Sequence, residues 1–543
     1  MSERITSLED YRELRKSFRW RTPASFNFGA DVVDAHARTR PDATAILWIG
    51  PEGERTVTFA EIAERSSRVA AALASVGVAK GDKVLVILPR VVAWWESLLG
   101  LLKAGAVSVP GTTLLTAKDI AYRVKAAEAT AIITDAEGAA KVDQVADDLP
   151  TLQHRIVVGE SRPSWEDYEQ IVADADPQSH SAETVPADPA LVYFTSGTTG
   201  LPKMVLHTQA SYGIGHEVTG RFWLDLSETD LHWNVSDTGW AKAAWSSLFA
   251  PWICGAGLFV QHSLGKFDPA DVLKYLAEYP ITTMCSAPTI YRFLVQQDLD
   301  DFQPQSLRHC VAAGEPLNPE VIAVWKQVTG LTVRDGFGQT ESVLLCGNFP
   351  GVEVKPGSMG LPTPGIDLDV VDDTGGRLPP GEEGDVAVSV EPDRPVGLFQ
   401  EYWHNDAENA TSFRNGWYLT GDRAYKDEDG YFWFVGRGDD VITSSAYRIG
   451  PFEVESALIE HAAVVEAAVV GKPDPVRGQI VKAYVVLAAG VNGSDELKAE
   501  LQEYVKQSTA PYKYPREIDF LDELPKTTSG KIRRVELREQ AAR

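Results

Sequence analysis

Cysteine is scarce in this chain: 4 in 543 residues, at Cys254, Cys285, Cys310 and Cys346. None stands in a CxxC pair, so no disulfide framework is expected, and a reducing cytoplasm is the simple expectation. Long apolar runs are missing too. The longest candidate, from Ser97 to Pro110, is interrupted by Lys103 and by glycines, whereas a membrane span needs about 18 apolar residues in a row. Positive charge is in short supply: 51 Lys+Arg face 77 Asp+Glu, a net charge of −26. An acidic surface repels a phosphate backbone, which argues against a general nucleic-acid binder. No repeat of fixed period and no low-complexity segment stands out. The opening residues, MSERITSLEDYRELRK, lack the apolar core of a signal peptide, and Glu3, Glu9, Asp10 and Glu13 argue against a transit peptide.

What is present is ample core material. Hydrophobic residues make up 44% and charged residues 24%, enough to offset the entropy of ordering the chain. The length suggests about three to four compact units. Residues 58–76 carry apolar positions at helical spacing, with Thr58 as N-cap. Lys83 to Leu88 (KVLVIL) reads as a buried strand, Val91 to Ala104 as a helix, and Ala106 to Val109 and Ala131 to Thr134 as further strands. The alternation recurs at Ala190 to Phe194, Gly257 to Gln261 and Ile281 to Cys285, which suggests parallel α/β layers. From about 352, short strands such as Leu368 to Val371 and Val386 to Val390 alternate with turns, the mark of a β-rich subdomain. Residues 440–543 carry 14 Lys+Arg and 16 Asp+Glu, a net of −2 on an otherwise acidic chain. That shift marks a boundary to a small α+β domain.

The sharpest chemical signal is YFTSGTTGLPK, Tyr193 to Lys203. An apolar strand runs into Thr195, Ser196, Gly197, Thr198, Thr199 and Gly200 and closes on Lys203. Hydroxyls and glycines supply donors without bulk, and a lysine supplies charge, which together suit a polyphosphate. The spacing differs from the GxxxxGK[ST] loop of P-loop NTPases.

This loop resembles the phosphate-binding signature of the adenylate-forming superfamily, which includes acyl-CoA synthetases, luciferases and peptide-synthetase adenylation domains. Further segments resemble that superfamily in its order: DGFGQTES (335–342), WYLTGD (417–422), GRGDDVITSSAYRIG (436–450) and LPKTTSGKIR (524–533). FNFGADVVD (26–34), VILPRVVAWW (86–95), PGTTLLTAKDIAYRV (110–124) and YRIGPFEVESALIEH (447–461) are most similar to medium-chain acyl-CoA synthetases.

The resemblance implies roles. Asp335, Gly336, Phe337, Gln339 and Thr340 would contact the adenine and phosphates, Phe337 by stacking where relatives usually carry Tyr. Gly314, Glu315 and Pro316 would wall the adenine and acyl pockets. Asp422 would hold the ribose hydroxyls, Arg437 the ribose and Arg448 a phosphate. Glu341 would ligate Mg²⁺, because hard cations on phosphates take carboxylate oxygens. Lys531 is implied as the catalytic residue: joining a carboxylate to ATP gathers anions at the α-phosphorus, and the transition state needs a cation there. Ser445, Tyr447, Arg448 and Arg477, with Lys513 as a weaker candidate, would bind coenzyme A; Ala446 stands where relatives usually have Gly. In acetate-specific relatives a Trp precedes the Gln-Thr-Glu; here that position is Gly338, which with Trp240 implies a roomier acyl pocket.

The function these residues imply is a two-step ligase. ATP, with Mg²⁺, and a medium-chain, small branched or aromatic acid form acyl-adenylate and pyrophosphate, and coenzyme A then takes the acyl group. The expected fold is α/β: a multi-subdomain N-terminal region over 1–438 and a mobile α+β domain over 439–543, hinged at Asp439. The rival reading is a carrier-protein-loading adenylation enzyme, against which Tyr447 and Arg477 stand. The expected partners are small molecules, with no nucleic acid and no membrane span, and a homodimer is left open.

Overall fold

The computed structural model describes residues 4–177, 182–195, 202–265, 267–438, 440–445, 447–526 and 532–543. Four sheets organise them. One has eight strands, in the order Glu401–Tyr402, Lys203–Thr208, Pro189–Thr195, Val107–Pro110, Lys83–Ile87, Ala131–Asp135, His154–Val158, Glu166–Asp167. The second has nine: Leu361–Pro362, Cys346–Gly347, Val333–Phe337, His309–Ala313, Thr283–Ser286, Leu231–Val235, Gly257–Gln261, Thr44–Gly50, Gly53–Thr58. Both have parallel centres, as the strand–helix alternation predicts. Two crossings interlock them. Thr44–Gly50, early in the chain, pairs with Gly257–Gln261 in the second sheet, and Glu401–Tyr402, late in the chain, returns to the first sheet beside Lys203–Thr208.

The helix Phe59–Ser75 starts where the pattern predicts. The Thr58 hydroxyl accepts from the Glu61 N–H at 3.2 Å, and the Glu61 carboxylate accepts from the Thr58 N–H at 2.7 Å. This reciprocal pair satisfies two end donors that no helical carbonyl reaches. The helix packs on Val92–Ala104, in which all 13 residues are buried, Glu96 and Lys103 included. Buried charge demands partners. Glu96 accepts from Arg65 at 3.1 Å and from the Tyr168 hydroxyl at 3.0 Å. Lys103 donates to Asp34 at 2.7 Å and to Ala63 O and Ser67 Oγ at 2.9 Å. The helices touch closely because position 100 is glycine: a Cβ there would lie 2.4 Å from Val69 Cγ1. Among the described residues no helix is long and apolar enough to cross a membrane, and the four cysteines are free thiols.

An antiparallel sheet of Leu368–Val371, Gly384–Ser389, Trp417–Lys426, Phe413–Arg414 and Phe432–Arg437 forms the β-rich part. The last sheet joins Tyr447–Ile449, Ile442–Ser444, Gly478–Leu487 and Val464–Asp474 antiparallel, with Glu517–Phe520 parallel on Gly478–Leu487. Helices Pro451–Ile459, Asp495–Ser508 and Arg534–Ala542 pack on it. The α/β class, the β-rich part and the small C-terminal α+β part agree with the sequence expectation.

Candidate active site

The candidate residues gather where the sheets meet. Pro189–Thr195 and Lys203–Thr208 pair antiparallel as the two strands of a hairpin, with Thr195 opposite Lys203. Ser196, Gly197, Thr198, Thr199 and Gly200 lie outside the described residues, as do Lys531, Asp439 and Ala446. The Lys203 ammonium pairs with Glu408 and stands 5.2 Å from the Tyr402 ring centre.

Parallel strands His309–Ala313 and Val333–Phe337 lie side by side and bring residues 314–316 and 338–341 to the same end of the sheet. Crevices at carboxyl ends of parallel strands are the usual ligand sites of such sheets. Gly314 has φ +110°, a conformation side chains rarely adopt. Lys242, whose ammonium donates to Ala313 O, comes within 3.3 Å of where its Cβ would be. Glu315 is fastened to the helix Pro288–Leu294: it accepts from Thr289 N at 3.0 Å and from the Thr289 hydroxyl, and pairs with Arg292 at 3.4 Å. Burial works to raise its pKa, but Arg292 and the Thr289 hydrogen bonds outweigh burial and hold it below the usual value.

Asp335 is buried and accepts from Gly336 N at 2.9 Å. Burial pushes its pKa up to about 8, against the pull of N–H groups and Lys242. Gly336 leaves room for the Trp223 indole, whose Cζ2 would be 2.4 Å from a Cβ. Phe337 is half-buried and closes the strand. Gly338 lies against the Val343 carbonyl, 2.8 Å from where a Cβ would sit, so a packing reason for this glycine stands beside the acyl-pocket reading. Trp240 is half-buried at the start of the short helix Ala241–Ala244.

Residues 339–341 form a hub. Gln339 donates to Thr420 O at 2.9 Å and to Asp422 Oδ2 at 2.5 Å, and its Oε1 accepts from Tyr418 at 3.0 Å. Thr340 O accepts from His207 Nε2 at 2.7 Å. Glu341 accepts from the Tyr402 hydroxyl at 2.9 Å, and its backbone carbonyl from Phe399 N at 2.8 Å. Burial raises its pKa, partly countered by Tyr402 and by the charges of Arg437 and Lys203. Asp422 is buried opposite Arg437 on the neighbouring strand, with Arg437 Nε 3.5 Å from its Oδ1. The hub thus connects the hairpin of Lys203 to the strands of Asp422 and Arg437.

Sequence reasoning did not find Tyr402, His207, Tyr418 or Lys242. Tyr418 lies within WYLTGD, where Asp422 carries the signal; the other three lie outside the motifs, and Tyr402 comes beside Lys203–Thr208 because Glu401–Tyr402 pairs with that strand. Among the described residues no group of three or more His, Cys, Asp or Glu could hold a metal. A lone carboxylate, Glu341, fits a cation that takes its other ligands from phosphates and water, as Mg²⁺ does.

The coenzyme A candidates share one edge of the C-terminal sheet. Ser445, at φ +57°, donates its N–H to Arg477 O at 2.7 Å. Tyr447 is half-exposed and stacks on Tyr512, with ring centres 4.1 Å apart. The strand of Arg448 pairs with Ile442–Ser444, its side chain lying outside the described residues. Lys513 is paired with Glu453 at 2.5 Å.

Residues 33–403 match the family model for AMP-binding enzymes, and residues 453–531 match the AMP-binding enzyme C-terminal domain. The chain therefore belongs to the AMP-binding enzymes. It is 48% identical to the mouse mitochondrial acyl-coenzyme A synthetase ACSM3, covering 98% of this chain and 94% of that protein. It is 47% identical to human mitochondrial ACSM4 over 98% of this chain and 93% of that protein. Among solved structures it resembles the anthranilate CoA ligase AuaEII in complex with anthranoyl-AMP, with TM-score 0.86, 31% identity and coverage of 96% and 98%. It also resembles a benzoate CoA ligase from Burkholderia xenovorans LB400, with TM-score 0.83, 31% identity and coverage of 94% and 100%. Within the family it is an acyl-CoA synthetase.

The expectation of a cytoplasmic enzyme is corrected by these relatives, which are mitochondrial by name. Free thiols report a chain that needs no disulfide, and that chemistry does not tell one reducing compartment from another. Glu9, Asp10 and Glu13 belong to the helix Leu8–Ser17, whose Tyr11 donates to Pro362 O at 2.8 Å. Acidic residues in a folded helix carry no information about an address.

Proposed function

We propose that this acyl-CoA synthetase activates a medium-chain, small branched or aromatic carboxylic acid. The observation that carries the residue assignment is the hub at 339–341, which ties the Lys203 hairpin to Asp422 and Arg437. Asp422 holds the ribose hydroxyls with Arg437 beside it. Asp335, Gly336, Phe337, Gln339 and residues 314–316 surround the adenine. Thr340, Lys203 and the loop 195–200 face the phosphates, and Mg²⁺ on Glu341 neutralises phosphate charge. Lys531 and Arg448 bring cations to the reacting α-phosphate from the C-terminal side.

Coenzyme A then meets Ser445, Tyr447, Arg448 and Arg477. Both steps share one site, so a body of 1–438 and a domain of 439–543 alternate about Asp439. The acid lies between Gly338 and Trp240. A position without an indole leaves room for several methylenes or a small ring. Each methylene buried contributes about 0.8 kcal/mol, so each lowers KM by roughly fourfold until the pocket is full. The CoA ligases named for anthranilate and benzoate support the aromatic option.

The test is pyrophosphate release and CoA thioester formation over acids from acetate to dodecanoate, with benzoate and branched acids. Activity is expected to rise beyond propionate and to require CoA. A preference for acetate over butyrate and hexanoate would refute the pocket assignment, and no activity with any acid would refute the substrate class.

A further inference from the structure

His207 stands on the strand that leaves the phosphate loop, four residues after Lys203. Its ring is fully buried. Nε2 lies 2.7 Å from Thr340 O and Nδ1 lies 3.0 Å from Ser211 Oγ. A carbonyl oxygen can only accept, so Nε2 carries the proton and Nδ1 accepts from the serine hydroxyl. Ser211 is itself fixed, because its N–H donates to the Thr208 hydroxyl at 3.1 Å and its Oγ accepts from Thr208 N at 2.9 Å. Tyr212 packs edge-on against the imidazole, with centres 4.3 Å apart. Burial lowers the pKa of His207 to about 3, which keeps this neutral tautomer through the physiological range.

We propose that His207 is a positioning residue for the adenylation step: through Thr340 O it sets the 340–341 turn against the strand of Lys203, without touching substrate. The inference rests on the assignment of Thr340, Glu341 and Lys203 to the phosphates. Its physical content is one hydrogen bond between two phosphate-facing segments that lie far apart in sequence. Phe399 N and Tyr402 hold Glu341, and Gln339 is held by Tyr418, so the turn has other anchors and survives loss of the histidine. What is lost is its placement relative to Lys203. Displacements of about 1 Å at a reacting centre cost up to roughly a hundredfold in rate.

The test separates placement from a general packing role. In His207→Gln the amide nitrogen reaches the position of Nε2 and donates to Thr340 O; in His207→Asn it falls short. Acid-dependent pyrophosphate release is measured with ATP varied, and thioester formation is measured separately from preformed acyl-adenylate and CoA. His207→Asn is expected to lower kcat/KM for ATP by about ten- to a hundredfold. The thioester step is expected to stay within about threefold of wild type, and His207→Gln to recover the ATP parameter to within about threefold. Equal losses in both half-reactions, no recovery in the Gln variant, or unchanged ATP kinetics in the Asn variant would each overturn the proposal. If the Asn variant does not fold, Ser211→Ala removes the hydroxyl that orients the ring. A drop of about threefold or more in kcat/KM for ATP alone then supports placement, and no drop overturns it. Wild-type protein that released no pyrophosphate with any acid would instead point to failure of the substrate reading.

Discussion

At the scale of the residue, the site is a set of buried and half-buried polar groups whose partners come from distant segments. Asp335 illustrates the consequence. Its pKa is raised by burial from 3.8 to about 8. A carboxyl whose folded pKa lies above its unfolded value binds a proton on folding between the two, so its contribution to stability falls as pH rises from about 4 to about 8. Asp335→Asn copies the shape of the protonated acid and removes that dependence. The expected result is a melting midpoint that gains on wild type by about 1–3 °C more at pH 8 than at pH 5. Thermal scans at the two pH values check it, and a difference that does not change with pH would contradict the buried-acid argument. Glu315 is the opposite case, a half-buried carboxylate held below its usual pKa by Arg292 and the Thr289 hydrogen bonds. Both are acidic residues in short motifs, and only their surroundings separate them.

At the scale of the element, several pieces were legible and others were not. The helix Phe59–Ser75 was legible because its cap and its apolar spacing are local. So were Lys83–Ile87 and Ala131–Asp135, which the pattern places within a residue. The strand Glu401–Tyr402 was not, because pairing with the remote Lys203–Thr208 defines it. The close packing of Phe59–Ser75 on Val92–Ala104 at Gly100 was also invisible, since nothing near Gly100 in the chain names Val69 as its neighbour. Gly100→Val puts two methyl groups and a Cβ into a contact already at 2.4 Å for the Cβ alone. Overpacking of a dense core costs about 1–3 kcal/mol. Chemical denaturation is expected to show a loss in that range with little change in KM for ATP or CoA. A neutral effect would mean that the helices separate at little cost.

At the scale of the whole molecule, the candidate joint between body and C-terminal domain lies between two anchored neighbours. Gly438 N donates to Gly421 O at 2.9 Å on the body side. On the other side, the Asp440 carboxylate pairs with Arg538 of the helix Arg534–Ala542. The Asp440 N–H donates to Arg437 O at 3.0 Å across the joint, a bond that a rotation there would break. Asp439→Pro fixes φ and removes a donor. It is expected to reduce thioester formation tenfold or more beyond its effect on adenylate formation, while Lys531→Ala is expected to abolish adenylate formation and leave thioester formation from preformed acyl-adenylate largely intact. Half-reaction assays on both variants check this pair. Equal loss of both steps in each variant would contradict domain alternation.

Taken by itself, the sequence determined the α/β class, the β-rich insert, the C-terminal α+β part and the family, because those rest on periodicity, composition and motifs written in contiguous residues. It also named Asp422, Glu341, Lys203 and Arg437 as candidates, since each lies in such a motif. The tertiary structure alone decided which of these meet. Gln339 joins Asp422, Tyr402 joins Glu341, and His207 joins Thr340, each across a long stretch of chain. It alone gave Gly336 and Gly338 their neighbours, Trp223 and the Val343 carbonyl, and set the opposite pKa shifts of Asp335 and Glu315. The physical reason is that hydrogen bonding, close packing and desolvation depend on distance in space, and a local motif specifies the kind of group but not the atoms that surround it.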